Sequence, residues 1–278
     1  MSLSDPIVAE HAFSTELKRW RGLRKFSQLE LALAANVSQR HISWLETGKS
    51  APSRQMIVQL CEAMDVPLRA RNALLISGGF APAYRESQLD AEQMVPINDA
   101  LRVMLDHHQP FPAFVVDRDW CVHMTNAPAD LLLSAFGESI WDRVDPSGKR
   151  SLARLTLHPE GLKPFVGNWH ELAGHFLQRM QREVVASGNA AHRQAFEELV
   201  LLAADDDIAL TDFGAPLMPV LPLMLNLFGA ELRLFSMIST FGTPQDITVD
   251  ELRIELFFPA DEATRLVFER AAAASATA

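Results

Sequence analysis

Residues 27–53 read SQLELALAANVSQRHISWLETGKSAPS, and the punctuation of this stretch decides the fold of the N-terminal third. Ser27-Gln28-Leu29-Glu30 has the form of a capping box, in which the Ser27 hydroxyl accepts from the backbone N–H three residues on and Glu30 reaches back. Leu29, Leu31 and Leu33, with Ala32 and Ala35, then predict a brief helix. Asn36 stops it, because asparagine tolerates the left-handed backbone that a tight turn requires. Ser38 is the next N-cap, with Ile42 and Leu45 facing inward at helical spacing. Gly48 closes this second helix, as a residue at ease with positive φ.

The same signals continue outward to Phe13 and Gly79. Ser53 caps a helix carrying one apolar stripe, Met56, Ile57, Leu60, Cys61 and Met64. Pro67 opens a fifth helix that ends at Gly78-Gly79. Two short helices joined by a tight turn, inside a five-helix bundle of about 65 residues, read as a helix-turn-helix.

Charge agrees with that reading. The chain has 278 residues and a formal net charge of −10, yet residues 1–88 hold 11 Lys/Arg against 8 Asp/Glu. The remainder is strongly acidic. The polyanion-facing part is therefore local, and the acidic part maintains solubility and orients the molecule on its partner. Hydrophobic content of 48% and charged content of 22% are those of a folded globular protein. Cys61 and Cys121 lie far apart and predict neither a disulfide framework nor a metal site, which fits a reducing compartment. No apolar leader begins the sequence, and the run 217–227 is too short and too broken by Pro219, Pro222 and Asn226 to span a bilayer. The expectation is a soluble, cytoplasmic protein without membrane contact.

Through Gln28, Ala32, Val37, Ser38, Ile42, Leu45, Glu46, Gly48 and Pro52, residues 13–79 resemble the DNA-binding module of the Cro and phage-repressor (XRE) class. Asn36 stands where that class most often has glycine, a departure that keeps the turn chemistry. The resemblance implies binding to double-stranded DNA, with the N-terminal end of the second helix against base edges. Gln39, Arg40 and Ser43 are then the candidate base-readers, Arg40 by holding guanine O6 and N7 with both arms. Gln28, at the start of the preceding helix, is placed to hold a phosphate. Ser38 caps the helix at its DNA-facing end, and His41, Lys49 and Arg54 are candidate backbone contacts. Each of these also reads as an ordinary solvated side chain. Trp44 is expected at the edge of the bundle.

The domain reading is a DNA-binding module over 1–80, a linker over 81–95, a second domain over 96–272 and a disordered tail over 273–278. In the second domain, Ala113–Val116 and Trp120–Thr125 are β-rich runs around a turn at Asp117-Arg118-Asp119, and a helix follows near Pro128. Glu231–Phe241 and Thr248–Phe258 are further β-rich runs, separated by Gly242-Thr243-Pro244. In the last run Leu252, Ile254, Leu256 and Phe258 share one face and Arg253 and Glu255 the other. Between the β regions, Trp169, Leu172, Ala173, Phe176, Leu177, Met180 and Val184 recur at helical spacing. The order predicts an α+β domain with helices on one side of a sheet.

This portion resembles the PAS-like ligand-binding domain of MmyB-like transcription regulators. The likeness is carried by PAFVVDRDWCVHMTNAPADLLL, HPEGLKPFVGNWHELAGHFLQRMQRE and DELRIELFFPADEATRLVFER, across about residues 96–270. What the resemblance implies is a small apolar molecule, such as a fatty acid, held between sheet and helices. The residues offer Phe114, Met124, Phe136, Phe165, Trp169, Phe176, Met180, Phe235 and Phe257 as apolar lining, with Trp141 and Met237. Any one of these also reads as ordinary core. Asn126, Asn168, His170 and Arg179 are candidate polar anchors, since a mostly apolar site needs a few placed polar groups.

Catalytic and metal chemistry finds little support. His170 and His175 are five residues apart, about 140° around a helix, so they do not share a metal-binding face. His107-His108 diverge, and Asp205-Asp206-Asp207 reads as a solvated loop. There is no glycine-rich phosphate loop and no nucleophile elbow. The sequence therefore predicts a dimeric, sequence-specific transcription regulator, with no catalytic or metal residue, modulated by a small apolar ligand. Two arrangements stay open beside it: a C-terminal domain that is a ligand-free interaction module, and an enzyme tethered to DNA.

Overall fold

In the computed structural model, the described residues are 6–137, 139–203, 220, 222–227 and 229–275. They form two compact units. One takes in the described residues up to 87 with 183–190 and 244–250; the other takes in those within 88–182, 191–243 and 251–275.

The first unit is a bundle of α1 (Pro6–Leu23), α2 (Gln28–Ala34), α3 (Gln39–Glu46), α4 (Arg54–Ala63) and α5 (Leu68–Ser77). Local chemistry sets the boundaries. Ser27 Oγ accepts from Glu30 N at 3.1 Å while the Glu30 carboxylate accepts from Ser27 N at 2.7 Å, completing the capping box. Ser38 Oγ accepts from His41 N and Ser53 Oγ from Met56 N. Asn36 sits at φ +50°, and Gly48 at +67°. Phe13, Leu17, Trp20, Leu31, Ile42, Leu45, Ile57 and Leu75 fill the core. Leu29 and Leu33, in contrast, point outward and are largely exposed.

A buried ionic cluster fastens the end of α3 and the start of α2 to α1. Glu46 lies at the end of α3 with its side chain only 1% exposed. Its carboxylate accepts from Arg21 Nε at 2.6 Å, Arg21 Nη2 at 3.1 Å and Gln28 Nε2 at 2.7 Å. Arg21 Nη1 also donates to Phe26 O at 2.8 Å.

The stretch 81–87, part of the expected linker, is held within this unit. Asn72 Oδ1 accepts from Ala83 N and Tyr84 N. Ser87 Oγ donates to Asp246 Oδ2 at 2.7 Å, and Thr248 Oγ1 donates to Ser87 O at 2.6 Å. Pro67 offers no side-chain cap to α5, and Asp250 Oδ2 supplies one by accepting from Leu68 N at 3.1 Å.

The second unit is built on a five-stranded antiparallel sheet, with β1 (Ala113–Val116), β2 (Val122–Thr125), β3 (Leu223–Leu227), β4 (Ala230–Ser239) and β5 (Arg253–Pro259) in the order β2-β1-β5-β4-β3. Alternation along β1 separates two faces. Ala113 and Val115 meet Ile254 and Leu252, together with Leu101 and Leu105 of α6 (Val95–His107). Phe114 and Val116 meet the other face's layer, which is made by α7 (Ala127–Ser134), α8 (Ile140–Val144), α9 (Leu152–Leu157), α10 (Trp169–Ser187) and α11 (Ala190–Leu202).

Several expectations are revised here. Helices cover both faces of the sheet, because both faces of β1 are apolar and buried. β3 forms from an apolar run that its prolines had disguised. Ile247–Glu251 is a short helix, α12, so β5 begins only at Arg253. The closing helix α13, Glu262–Ser275, makes residues 273–275 helical instead of frayed. Asp205–Asp207 lie outside the described residues.

Candidate functional site

One candidate surface is the N-terminal end of α3. Gln39 and Arg40 are exposed there, and His41 and Ser43 are half-buried. Arg40 Cζ stands 4.3 Å from the centre of the Trp44 ring, a cation–π contact that holds the side chain without spending its N–H donors. Trp44 is 39% exposed, at the edge of the bundle as expected. Ser38 serves as the cap, so its hydroxyl is engaged with the helix. Gln28 donates one amide N–H to Glu46, a tie within the bundle that its sequence position did not announce. Lys49 and Arg54 are exposed at the C-terminal end of α3 and the start of α4.

The second candidate is a cavity of about 250 Å³ inside the second unit. Phe114 of β1, Phe235 of β4 and Phe257 of β5 contribute from the sheet; Phe136, Leu155, Leu172 and Phe176 contribute from the helical side. Of the residues expected to line a pocket, Phe114, Phe136, Phe176, Phe235 and Phe257 do so, and so does Arg179.

The others are placed elsewhere, each for an identifiable reason. Met124 pairs with Val115 in register and shares its face, so it packs with the α6 cluster. Phe165 lies edge-on to Phe136 at 5.1 Å, behind the lining. Trp169 is core and donates from Nε1 to Thr156 O at 3.2 Å. His170 is exposed and stacks edge-on against Trp169, while Met180 is packed core. Met237 is 57% exposed, on the opposite side of β4 from Leu234.

Asn126 is the N-cap of α7. Its Oδ1 accepts from Ala113 N and Ala129 N, and its Nδ2 donates to Leu105 O and Phe111 O. Asn168 ties the strand edge by donating to Pro222 O and accepting from Met224 N. Both amides are structural ties, and Asn126 has all of its donors and acceptors engaged.

The polar lining of the cavity was legible only in part. His175, Arg179 and Arg182 line it from one face of α10, at spacings of four and three residues. Glu255, on the face of β5 opposite Ile254, lines it from the sheet. Trp120 closes the wall, 1% exposed, with Phe176 edge-on at 4.9 Å and Arg179 Cζ 4.8 Å from its ring centre. Trp120 Nε1 is buried and has no hydrogen-bond acceptor among the described residues. An orphaned donor of this kind costs about 1–3 kcal/mol.

Trp120 is also held at φ +62°, a conformation in which a bulky residue is strained. Asp117 imposes it: Oδ1 accepts from Asp119 N at 2.8 Å and Cys121 N at 3.0 Å, and Oδ2 faces His123 Nε2 at 2.9 Å. Burial pushes the Asp117 pKa up, but these hydrogen bonds outweigh it and hold the carboxyl below its ordinary value. A depressed pKa contributes stability that is present above the unfolded value near 3.9 and is lost as pH falls through the folded one. The urea midpoint of the second unit should therefore decline below about pH 4, and Asp117→Asn should remove that share of the decline.

Among the described residues no three His, Cys, Asp or Glu side chains are grouped to hold a metal ion, and no helix is long and apolar enough to cross a membrane. Both cysteine thiols are buried, and desolvation pushes each up to about 12, so neither is a ready nucleophile.

Two known families match the chain, one over each region. Residues 17–70 match the helix-turn-helix family, and residues 97–271 match the MmyB-like transcription regulator ligand binding domain. A search of curated proteins gives no match. Since the second match spans well over half of its 278 residues, the chain belongs to the MmyB-like transcription regulators, DNA-binding proteins with a C-terminal ligand-binding domain.

Proposed function

We propose that the protein is a sequence-specific, homodimeric transcription regulator whose C-terminal domain holds a small apolar molecule of the fatty-acid kind. The cavity carries this reading: its walls are mostly phenylalanine and leucine side chains from the sheet, α7, α9 and α10, with a few polar groups among them. Dimerisation follows from the DNA-binding side, where one helix-turn-helix module touches few bases and two half-sites raise affinity and specificity together. The ligand acts by binding one arrangement of the two modules better than another.

Extraction of the purified protein with organic solvent, followed by mass spectrometry, tests the first part. A lipid recovered at about one per chain supports the reading, and it supplies a ligand to titrate against DNA binding. A full-length chain that neither yields nor binds any such molecule would favour a packed interaction domain.

The DNA contacts are tested separately. Arg40→Ala is expected to weaken operator binding by about 1–3 kcal/mol, roughly 5- to 150-fold, and to relax base preference at one position. Lys49→Ala should weaken specific and non-specific DNA alike and reduce the salt slope by about one. Gel shifts across a salt series read both, and an unchanged base preference in Arg40→Ala would remove it as a base-reader.

A further inference from the structure

We infer that α10 is the mechanical link from the cavity to the DNA-binding bundle. Whatever fills the cavity displaces α10, and Gly188 with Arg19 passes the displacement to α1 and on to α3. The inference rests on the ligand-holding reading above and names the route by which that cavity regulates the head.

Three observations converge. First, α10 contributes more of the cavity lining than any other helix or strand among the described residues, through Leu172, His175, Phe176, Arg179 and Arg182.

Second, the same helix changes unit along its length. Its residues up to 182 belong to the second unit and 183–190 fold with the bundle, although the helix runs unbroken to Ser187. Fewer than two helical turns separate Arg182 from Gly188, and each turn is bonded to the one before it, so the segment moves as one body. Residues 244–251 also connect the units, but none of them lines the cavity. Among the described residues, α10 is the only helix or strand that both lines the cavity and folds in part with the bundle.

Third, the far end of α10 is locked onto α1. Gly188, at φ +60°, closes the helix by donating its N–H to Val184 O at 3.2 Å. Arg19 Nη1 donates to Gly188 O at 3.0 Å. A Cβ at residue 188 would stand 2.8 Å from that guanidinium nitrogen and 3.1 Å from the Trp20 ring, so the joint is made for glycine. Trp20 is core, 1% exposed, and its neighbour Arg21 holds the Glu46 carboxylate at the end of α3. Contacts therefore run from the cavity wall along α10, through Gly188 and Arg19 to α1, and through Arg21 and Glu46 to the helix that carries Arg40. A ligand that prefers one position of α10 biases the head by that difference in affinity.

The test reads amide exchange by mass spectrometry in the full-length chain, stripped of lipid on a hydrophobic resin, with and without saturating dodecanoate. Each variant is scored as the ratio of the two rates, so a change in its basal stability divides out. In the unaltered chain dodecanoate is expected to slow exchange in α10 and to change exchange in α1 and α3 at least about fivefold. Arg19→Ala removes the donor to Gly188 from an exposed position and puts a strong helix former there. It should keep the α10 response and reduce those of α1 and α3 to under about twofold. Gly188→Ala, strained in φ and short of space, should do the same. Lys18→Ala, also at an exposed position of α1, should leave all three responses intact.

Slowing confined to α10 in the unaltered chain would overturn the link and leave the ligand-holding cavity standing. Responses in α1 and α3 that survive both Arg19→Ala and Gly188→Ala would overturn it as well, since another route would then carry them. So would their loss in Lys18→Ala. If dodecanoate alters exchange nowhere, the ligand-holding reading falls and this inference falls with it.

Discussion

Arg21→Ala is expected to destabilise the helix-turn-helix unit by about 3–5 kcal/mol, the largest loss from any single charged residue in it. The reason is Glu46, whose carboxylate is almost wholly buried and takes three hydrogen bonds, two of them from Arg21. Truncating Arg21 leaves that charge desolvated with only the Gln28 amide to answer it. The pair itself is a different quantity. Arg21→Met combined with Glu46→Leu removes both charges and fills the space, and should cost far less than Arg21→Ala alone. Amide exchange at Leu31, Ile42 and Leu45, all in the unit's core, reports its stability independently of the second unit. A loss under about 1 kcal/mol in Arg21→Ala would mean that water reaches Glu46 and that the cluster is not the tie described here. Because Glu46 joins α1, α2 and α3, the same variant should also weaken DNA binding by loosening the helix that carries Arg40.

Asn126 supports the second large expectation. Asn126→Ala should cost the ligand-binding domain about 3–5 kcal/mol, since it strands the N–H groups of Ala113 and Ala129 and the carbonyls of Leu105 and Phe111. Asn126→Asp is the sharper experiment. Asparagine and aspartate are equivalent at an ordinary helix N-cap, so a merely capping role predicts little change. Here the amide also donates to two carbonyls from a site only 4% exposed. A carboxylate in its place would face Leu105 O and Phe111 O with negative charge. Asp at this position should therefore destabilise at least as much as Ala, measured as the urea midpoint of the second unit. A neutral Asn126→Asp would reduce Asn126 to a cap.

The helix-turn-helix was legible because its signals are local. Ser27, Ser38 and Ser53 each cap the helix that follows within three residues, and Asn36 and Gly48 take the positive φ that their turns require. What escaped was the use of Gln28, because the carboxylate that claims it comes from Glu46, 18 residues away. In the ligand-binding domain the β-rich runs were readable from alternation, but alternation does not say which face meets a cavity. Arg253 and Glu255 read only as the face of β5 opposite Ile254 and Leu256, yet Glu255 is buried at the cavity. Met124 read as lining, yet register with Val115 turns it to the other face. Arg179 stood out because it sits within an apolar stripe; His175 and Arg182, at the same spacing, carry the same signal. Nothing in the sequence distinguishes the orphaned N–H of Trp120 from that of Trp169, because acceptors are supplied by distant backbone.

The seven residues 244–250 fold with the DNA-binding unit although they are strung between β4 and β5. They cap α5 through Asp250 and clasp Ser87 through Asp246 and Thr248. The module is thus not a detachable N-terminal bead. A fragment ending at residue 87 would lose the cap on Leu68 and the acceptor of Ser87, about 1 kcal/mol for the cap alone. Swapping this head onto another sensor by a single crossover in the 81–95 region would carry the same defect. A functional chimera has to bring the β4–β5 connection along, so recombination that respects the fold moves head and sensor together.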